Sequence, residues 1–130
     1  MFFPCRPCSV GTLDEQRRRK IMEYHGLVSY NTDKYQEDHV SWWDCVDVIS
    51  SSGYYPIDQW EQELDRIEKN VLKYRKPFFF AEAGCMSRKG SGMVPNNWEL
   101  QGELRLEEQC VLMELISVMT DGFFYAIINS

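Results

Sequence analysis

The sequence predicts an α/β fold in which parallel strands alternate with helices, and three observations predict it. Segments of helical and strand character follow one another as α-β-α-β-α-β-α-β, the order that joins parallel strands through right-handed crossovers. The run Phe78-Phe79-Phe80-Ala81 is apolar on both faces, as strands of a helix-covered parallel sheet are. Hydrophobic residues make up 44% and aromatics 14% of the 130 residues, enough apolar surface to drive one core.

Along the chain, residues 1–12 carry Pro4, Cys5, Pro7, Cys8 and Gly11 without periodicity and read as an irregular lead-in. Residues 14–24 are helix formers, with Leu13, Arg17 and Ile21 on one face, Thr12 as N-cap and Gly26 as the stop. A short strand is expected at 27–30, followed by the polar loop 31–34. A helix is expected over 35–43, with a ragged apolar face of Val40, Trp42 and Trp43. Residues 46–53, β-branched at first and terminated by Pro56, form the second strand. Trp60, Leu64, Ile67, Val71 and Leu72 recur at spacings that put them on one face of a helix over 57–75, with Asp58 able to cap it. Lys76-Pro77 breaks that helix before a third strand at 78–83. The stretch 85–101 is rich in Gly, Ser, Asn and Pro and too long for a simple connector. A last helix over 104–119 and the turn Asp121-Gly122 lead to a fourth strand at 122–128.

A net charge of -6 and a pI near 4.9 exclude a general nucleic-acid or anionic-membrane binder, both of which need a positive footprint. Arg17-Arg18-Arg19-Lys20, beside Asp14 and Glu15, reads as a solvated helix face. The five cysteines are odd in number and scattered, unlike a secreted disulfide framework, so a cytoplasmic setting is expected. No stretch is apolar enough for a membrane span or a signal-peptide core. His25 and His39 lack partners at metal-ligand spacing, and the lone Cys5-x-x-Cys8 pair is a weak redox or zinc signal, so neither metal nor cofactor is expected.

Glu82 is the residue most suited to chemistry. Strict alternation along its strand puts Phe78, Phe80 and Glu82 on one face and Phe79 and Ala81 on the other. A carboxylate behind so much apolar surface must be paired, hydrogen-bonded or protonated. Pattern alone leaves two readings: a reactive carboxylate at the end of a strand, or a glutamate bonded to backbone amides at a strand-to-loop turn.

The run Lys76-Pro77-Phe78-Phe79-Phe80-Ala81-Glu82-Ala83-Gly84-Cys85-Met86-Ser87 resembles the seventh-strand motif of clan A glycoside hydrolases, especially the mannanase-like family 113. Trp43-Asp44, Val46-Asp47-Val48-Ile49 and Tyr54-Tyr55-Pro56 are similar to that family's sixth strand, and His25-Gly26-Leu27-Val28-Ser29-Tyr30 to its fifth. The resemblance spans roughly residues 13–115 and implies a partial (β/α)₈ barrel, its fifth to eighth strands, over residues 13–130. A complete barrel needs about 250 residues. It further implies that Glu82 is the nucleophile of a retaining enzyme acting on a β-linked sugar such as a β-mannoside or β-glucoside. Tyr54 or Tyr55 would orient Glu82, the choice depending on a register that Gly53 could shift by a bulge. Tyr30 and Asn31 would contact sugar hydroxyls, and Trp98 would stack on a sugar ring or fold back on a helix. Trp42 and Trp43 read as core.

The sequence also departs from the family pattern. The place of the fourth-strand proton donor is taken by residues 2–11, which contain no carboxylate, and residues 123–130 lack the eighth-strand tryptophan platform. The expectation is a hydrolase-derived half barrel inactive alone, completed by a second copy or a complementary barrel half. The alternative is a non-catalytic remnant that binds carbohydrate or another protein.

Overall fold

The computed structural model describes residues 23–128, with side chains through residue 122. The expected lead-in and the bulk of the first expected helix lie outside the described residues. Strand β1 (Ser29–Thr32) pairs in parallel with β2 (Val48–Gly53), which pairs in parallel with β3 (Phe78–Ala83), in the order β1-β2-β3. Helix α1 (Trp60–Tyr74) crosses from β2 to β3, and helix α2 (Glu107–Ile128) follows the long loop after β3. No helix among the described residues is long and apolar enough to cross a membrane.

Helix α1 follows from its sequence. Trp60, Leu64, Ile67 and Val71 are all buried and recur at steps of four and three, which is one face of a helix. Leu72, expected on that face, is instead exposed. Gln59 rather than Asp58 occupies the N-cap, and no side chain caps the first turn. The helix ends where Arg75 turns left-handed at φ 53° and donates its N–H to the Val71 carbonyl. Lys76-Pro77 then cannot continue it, because proline lacks the N–H and disfavours helix in the residue before it.

The core lies between one face of the sheet and these helices. Ile49 and Phe78 from the strands meet Trp60, Ile67 and Val71 from α1, with Val40 and Trp43 closing one side and Leu112 and Ile116 of α2 in the same cluster. Each such side chain contributes about 1.5–3 kcal/mol on full burial. The polar handles of the large aromatics are satisfied: Trp60 Nε1 donates to the Tyr55 carbonyl at 3.0 Å and Trp43 Nε1 to the Glu37 carbonyl at 2.9 Å.

Two expected elements are overturned. Residues 35–43 form no α-helix; short 3-10 turns occupy Glu37–His39 and Trp43–Cys45. Glu37, Val40 and Trp43 are the buried positions, too few to give a continuous apolar stripe, so each turn is held by its tertiary contacts. Nor is there a fourth strand at 122–128, because α2 continues through Ile128. A short apolar run satisfies its backbone within a helix as readily as beside a strand, and periodicity does not separate the two.

One irregularity sets the faces of the sheet. Ser51 pairs with Phe80 but Ser52 pairs with Glu82, so Ala81 is an extra residue in β3. Before this bulge, Phe78 and Phe80 point at the helices, where Phe80 packs edge-on against Trp60 at 5.1 Å. Phe79 points the other way and is 43% exposed. The bulge moves Glu82 onto the side of Phe79, opposite to the face that strict alternation predicts.

Candidate active site

Glu82 stands at the C-terminal end of β3 on the sheet face that no helix among the described residues covers, and among those residues it is exposed rather than desolvated as expected. Its carboxylate is nonetheless hydrogen-bonded. The Tyr54 hydroxyl donates to Oε2 at 3.0 Å, and the Asn31 amide nitrogen donates to Oε1 at 3.4 Å. The same Asn31 nitrogen donates to Ser52 Oγ at 3.1 Å. Three adjacent strands or strand ends therefore meet at one carboxylate, and the parallel register with its bulge makes that possible by bringing Ser52 beside Glu82.

Tyr54 is the tyrosine that reaches Glu82. Partial burial, followed by the hydrogen bond to Glu82 and that carboxylate's charge, holds its phenol above the usual tyrosine range, so it remains a donor at neutral pH. Lys34 Nζ donates to the Tyr54 carbonyl at 3.4 Å, tying the loop after β1 to the end of β2. Tyr55 points into the core with none of its surface exposed and donates its hydroxyl to Glu37.

The remaining expected site residues divide. Trp98, 55% exposed on the loop after β3, sets its ring perpendicular to that of Tyr54 with centroids 5.5 Å apart. The two rings border a cleft of about 330 Å³ that also takes in Gly84, Cys85 and Met113. Tyr30 is not brought to Glu82: it pairs with Ile49 on the opposite face and packs against Trp42 and Trp43 at 5.4 and 6.0 Å. Ser52 was not singled out from the sequence, since only its register with Glu82 marks it.

The loop carrying Trp98 is ordered by its own bonds. Lys89 N–H donates to the Glu103 carbonyl and Arg105 N–H to the Ser87 carbonyl, closing a short antiparallel bridge, while Ile57 N–H donates to the Gly92 carbonyl. Gln109 Nε2 donates to the Cys85 carbonyl at 2.8 Å and fixes the loop's start to α2. Gly84, at φ 145°, makes the turn directly after the strand, in a conformation side chains disfavour. Among the described residues Cys85 and Cys110 are free thiols and Cys45 is disulfide-bonded. No group of three His, Cys, Asp or Glu among them is placed to hold a metal ion.

A parallel sheet with a hydrogen-bonded glutamate at a strand's C-terminal end is where barrel enzymes carry their chemistry, and the model of Glycoside Hydrolase Family 113 matches residues 15–122. The chain belongs to glycoside hydrolase family 113. Two solved GH113 β-1,4-mannanase structures, one of them a complex, are each 52% identical to it. They have TM-scores of 0.72 and 0.73 and are matched over 82% and 83% of this chain. The GH113 β-mannanase AaManA from Alicyclobacillus acidocaldarius, in complex with ManMIm, is 42% identical over 78% of this chain with a TM-score of 0.74. The chain spans between 33% and 38% of the length of these structures. No curated protein matches it. The parallel α/β arrangement of the described residues is therefore shared with these family 113 structures over about four-fifths of this chain.

Proposed function

We propose that this family 113 chain carries the nucleophile half of a retaining β-mannosidase-type site, with Glu82 as the nucleophile and Tyr54 orienting it. The observation that carries the reading is the 3.0 Å bond from the Tyr54 hydroxyl to Glu82 Oε2 on an open strand end. That bond, with the Asn31 amide on the other oxygen, holds the carboxylate plane while leaving lone pairs for attack on an anomeric carbon. Attack displaces the leaving oxygen and gives a covalent glycosyl-enzyme, which water then hydrolyses. The leaving oxygen of a natural glycoside needs a proton from a second carboxyl group about 5 Å away. In this reading that donor comes from a complementary barrel segment or a second copy. The substrate is a β-linked mannan or oligosaccharide, with the Trp98 and Tyr54 cleft receiving a neighbouring sugar ring, and the chain alone does not turn over unactivated substrate.

The test is incubation with a 2-fluoro dinitrophenyl β-mannoside, whose leaving group needs no acid, followed by mass spectrometry of the peptide spanning residues 78–88. A covalent adduct in that peptide, absent in Glu82→Gln, is expected. Clear hydrolysis of unactivated β-mannan by the purified chain would overturn the dependence on a partner, and turnover surviving Glu82→Gln would remove Glu82 from the mechanism.

The second reading is a non-catalytic remnant that binds carbohydrate or another protein. The exposed Phe79 on the uncovered sheet face favours it, since such a face invites a partner. Mannooligosaccharide binding without any adduct would select this reading. A monomer at high micromolar concentration in sedimentation would count against an exposed, self-associating face.

A further inference from the structure

Glu37 is a buried carboxylate on the far side of the sheet that the reaction outlined above does not use. None of its surface is exposed. Its Oε1 accepts from Ser51 Oγ at 2.5 Å and from the Tyr55 hydroxyl, and its Oε2 accepts from Arg66 Nη2 at 2.7 Å. Arg66 is held in turn by Glu63, with Nε and Nη2 each 2.7 Å from Oε2. Its Nη1 lies 3.2 Å from Asp38 Oδ2 as an ion pair without hydrogen-bond alignment. Burial alone would lower the Arg66 pKa, but the bonds to Glu37 and Glu63 more than offset that and keep the guanidinium charged.

The two hydroxyls on Glu37 Oε1 belong to residues 51 and 55, which bracket a span of chain. Within that span lie Ser52, which accepts from Asn31, and Tyr54, which donates to Glu82. A single oxygen on one side of the sheet thus pins both ends of the segment that presents the site on the other side. We infer that Glu37 is a positioning residue: by holding Ser51 and Tyr55 together it sets the end of β2 so that Tyr54 reaches Glu82. A buried ion pair is weak evidence for stability, because the desolvation of both charges offsets much of their attraction, and fixing a local conformation is a use that survives this objection. Glu37 touches no reacting atom; it acts through the backbone between Ser51 and Tyr55.

The inference depends on the proposed function for its catalytic meaning, but its test needs no sugar. The chain is labelled with ¹³C at tyrosine Cζ and titrated to alkaline pH by NMR, the Tyr54 signal being assigned by its loss in Tyr54→Phe. Tyr54 is expected to titrate above ordinary tyrosine in the parent chain and to fall back in Glu82→Gln. Glu37→Gln, which keeps an oxygen for both hydroxyls, should retain most of the elevation. Glu37→Ala and Tyr55→Phe should lose the share that Glu82 contributes and fall towards the Glu82→Gln value, whereas Ile67→Val, a core deletion on α1 that makes no bond to the network, should keep it. If Glu37→Ala does not fold, Tyr55→Phe decides alone. An unchanged Tyr54 titration in Tyr55→Phe or in folded Glu37→Ala would overturn the inference, as would an absent elevation in the parent or an equal loss in Ile67→Val. A responsive titration with no sugar adduct on Glu82 would leave the positioning role standing and refute the glycosidase reading alone.

Discussion

Gly53→Ala is the smallest change that should disturb both the core and the site. A Cβ at position 53 would lie 2.7 Å from Phe80 Cδ1 and 2.8 Å from Trp60 Cη2. Comfortable carbon contacts begin near 3.5 Å, so the rings would have to retreat by about 0.7 Å or more. Phe80 is wedged against Phe78 at 4.8 Å and Trp60 at 5.1 Å, and Trp60 is fully buried with its indole N–H bonded to the Tyr55 carbonyl. Overpacking of this kind costs about 1–3 kcal/mol. Phe80 is also the residue before the bulge that aims Glu82, and residue 53 is the one before Tyr54, so the strain falls directly on the Tyr54–Glu82 pair. Urea unfolding followed by circular dichroism should show a lower midpoint with an unchanged slope, corresponding to that loss, and adduct formation on Glu82 should slow in the folded protein. A change of less than about 0.5 kcal/mol, the range of an ordinary surface substitution, would show that the rings are not confined as described.

Three further outcomes are expected. Tyr54→Phe removes a hydrogen bond to a charged group, typically worth about 1.5–3 kcal/mol, and should slow labelling of Glu82 by the activated mannoside by roughly tenfold or more; equal labelling rates would dismiss its orienting role. Ile67→Ala, at a fully buried position in the centre of α1, should cost about 2–5 kcal/mol in urea unfolding, and a smaller effect would mean that α1 does not pack on the sheet as seen. The phenols of Tyr54 and Tyr55 are both held above the ordinary range, each first by burial and then by its bond to Glu82 or Glu37. The unfolded chain therefore releases those protons first, so their contribution is complete below about pH 10 and is lost as pH rises through the folded values. Tyr55→Phe should flatten that alkaline decline, and an unaltered pH slope would contradict it.

Much of this architecture was legible in local pattern. The 60-64-67-71 spacing, the Lys76-Pro77 break and the doubly apolar run from Phe78 each point to one element without reference to the rest of the chain, and all three are where the pattern puts them. The placement of Glu82 at a strand end, and the motifs around it that resemble family 113, are likewise properties of consecutive residues. What local pattern could not supply was register. Strict alternation puts Glu82 with Phe78 and Phe80, but Ala81 is an extra residue opposite β2, and a single insertion reverses the face of everything after it. The same dependence on partners decided that Tyr54 and not Tyr55 meets the carboxylate, that Tyr30 packs away from it on Trp42 and Trp43, and that Glu37 lies beneath both. Residues 122–128 make the point in reverse, for their apolar run suits a strand, yet a strand needs a neighbour for its backbone groups and a helix does not. Composition and periodicity determined which segments fold into which kind of element, because those preferences act over a few residues. Only tertiary pairing decided which side chains share a face, because that depends on residues brought together from distant parts of the chain.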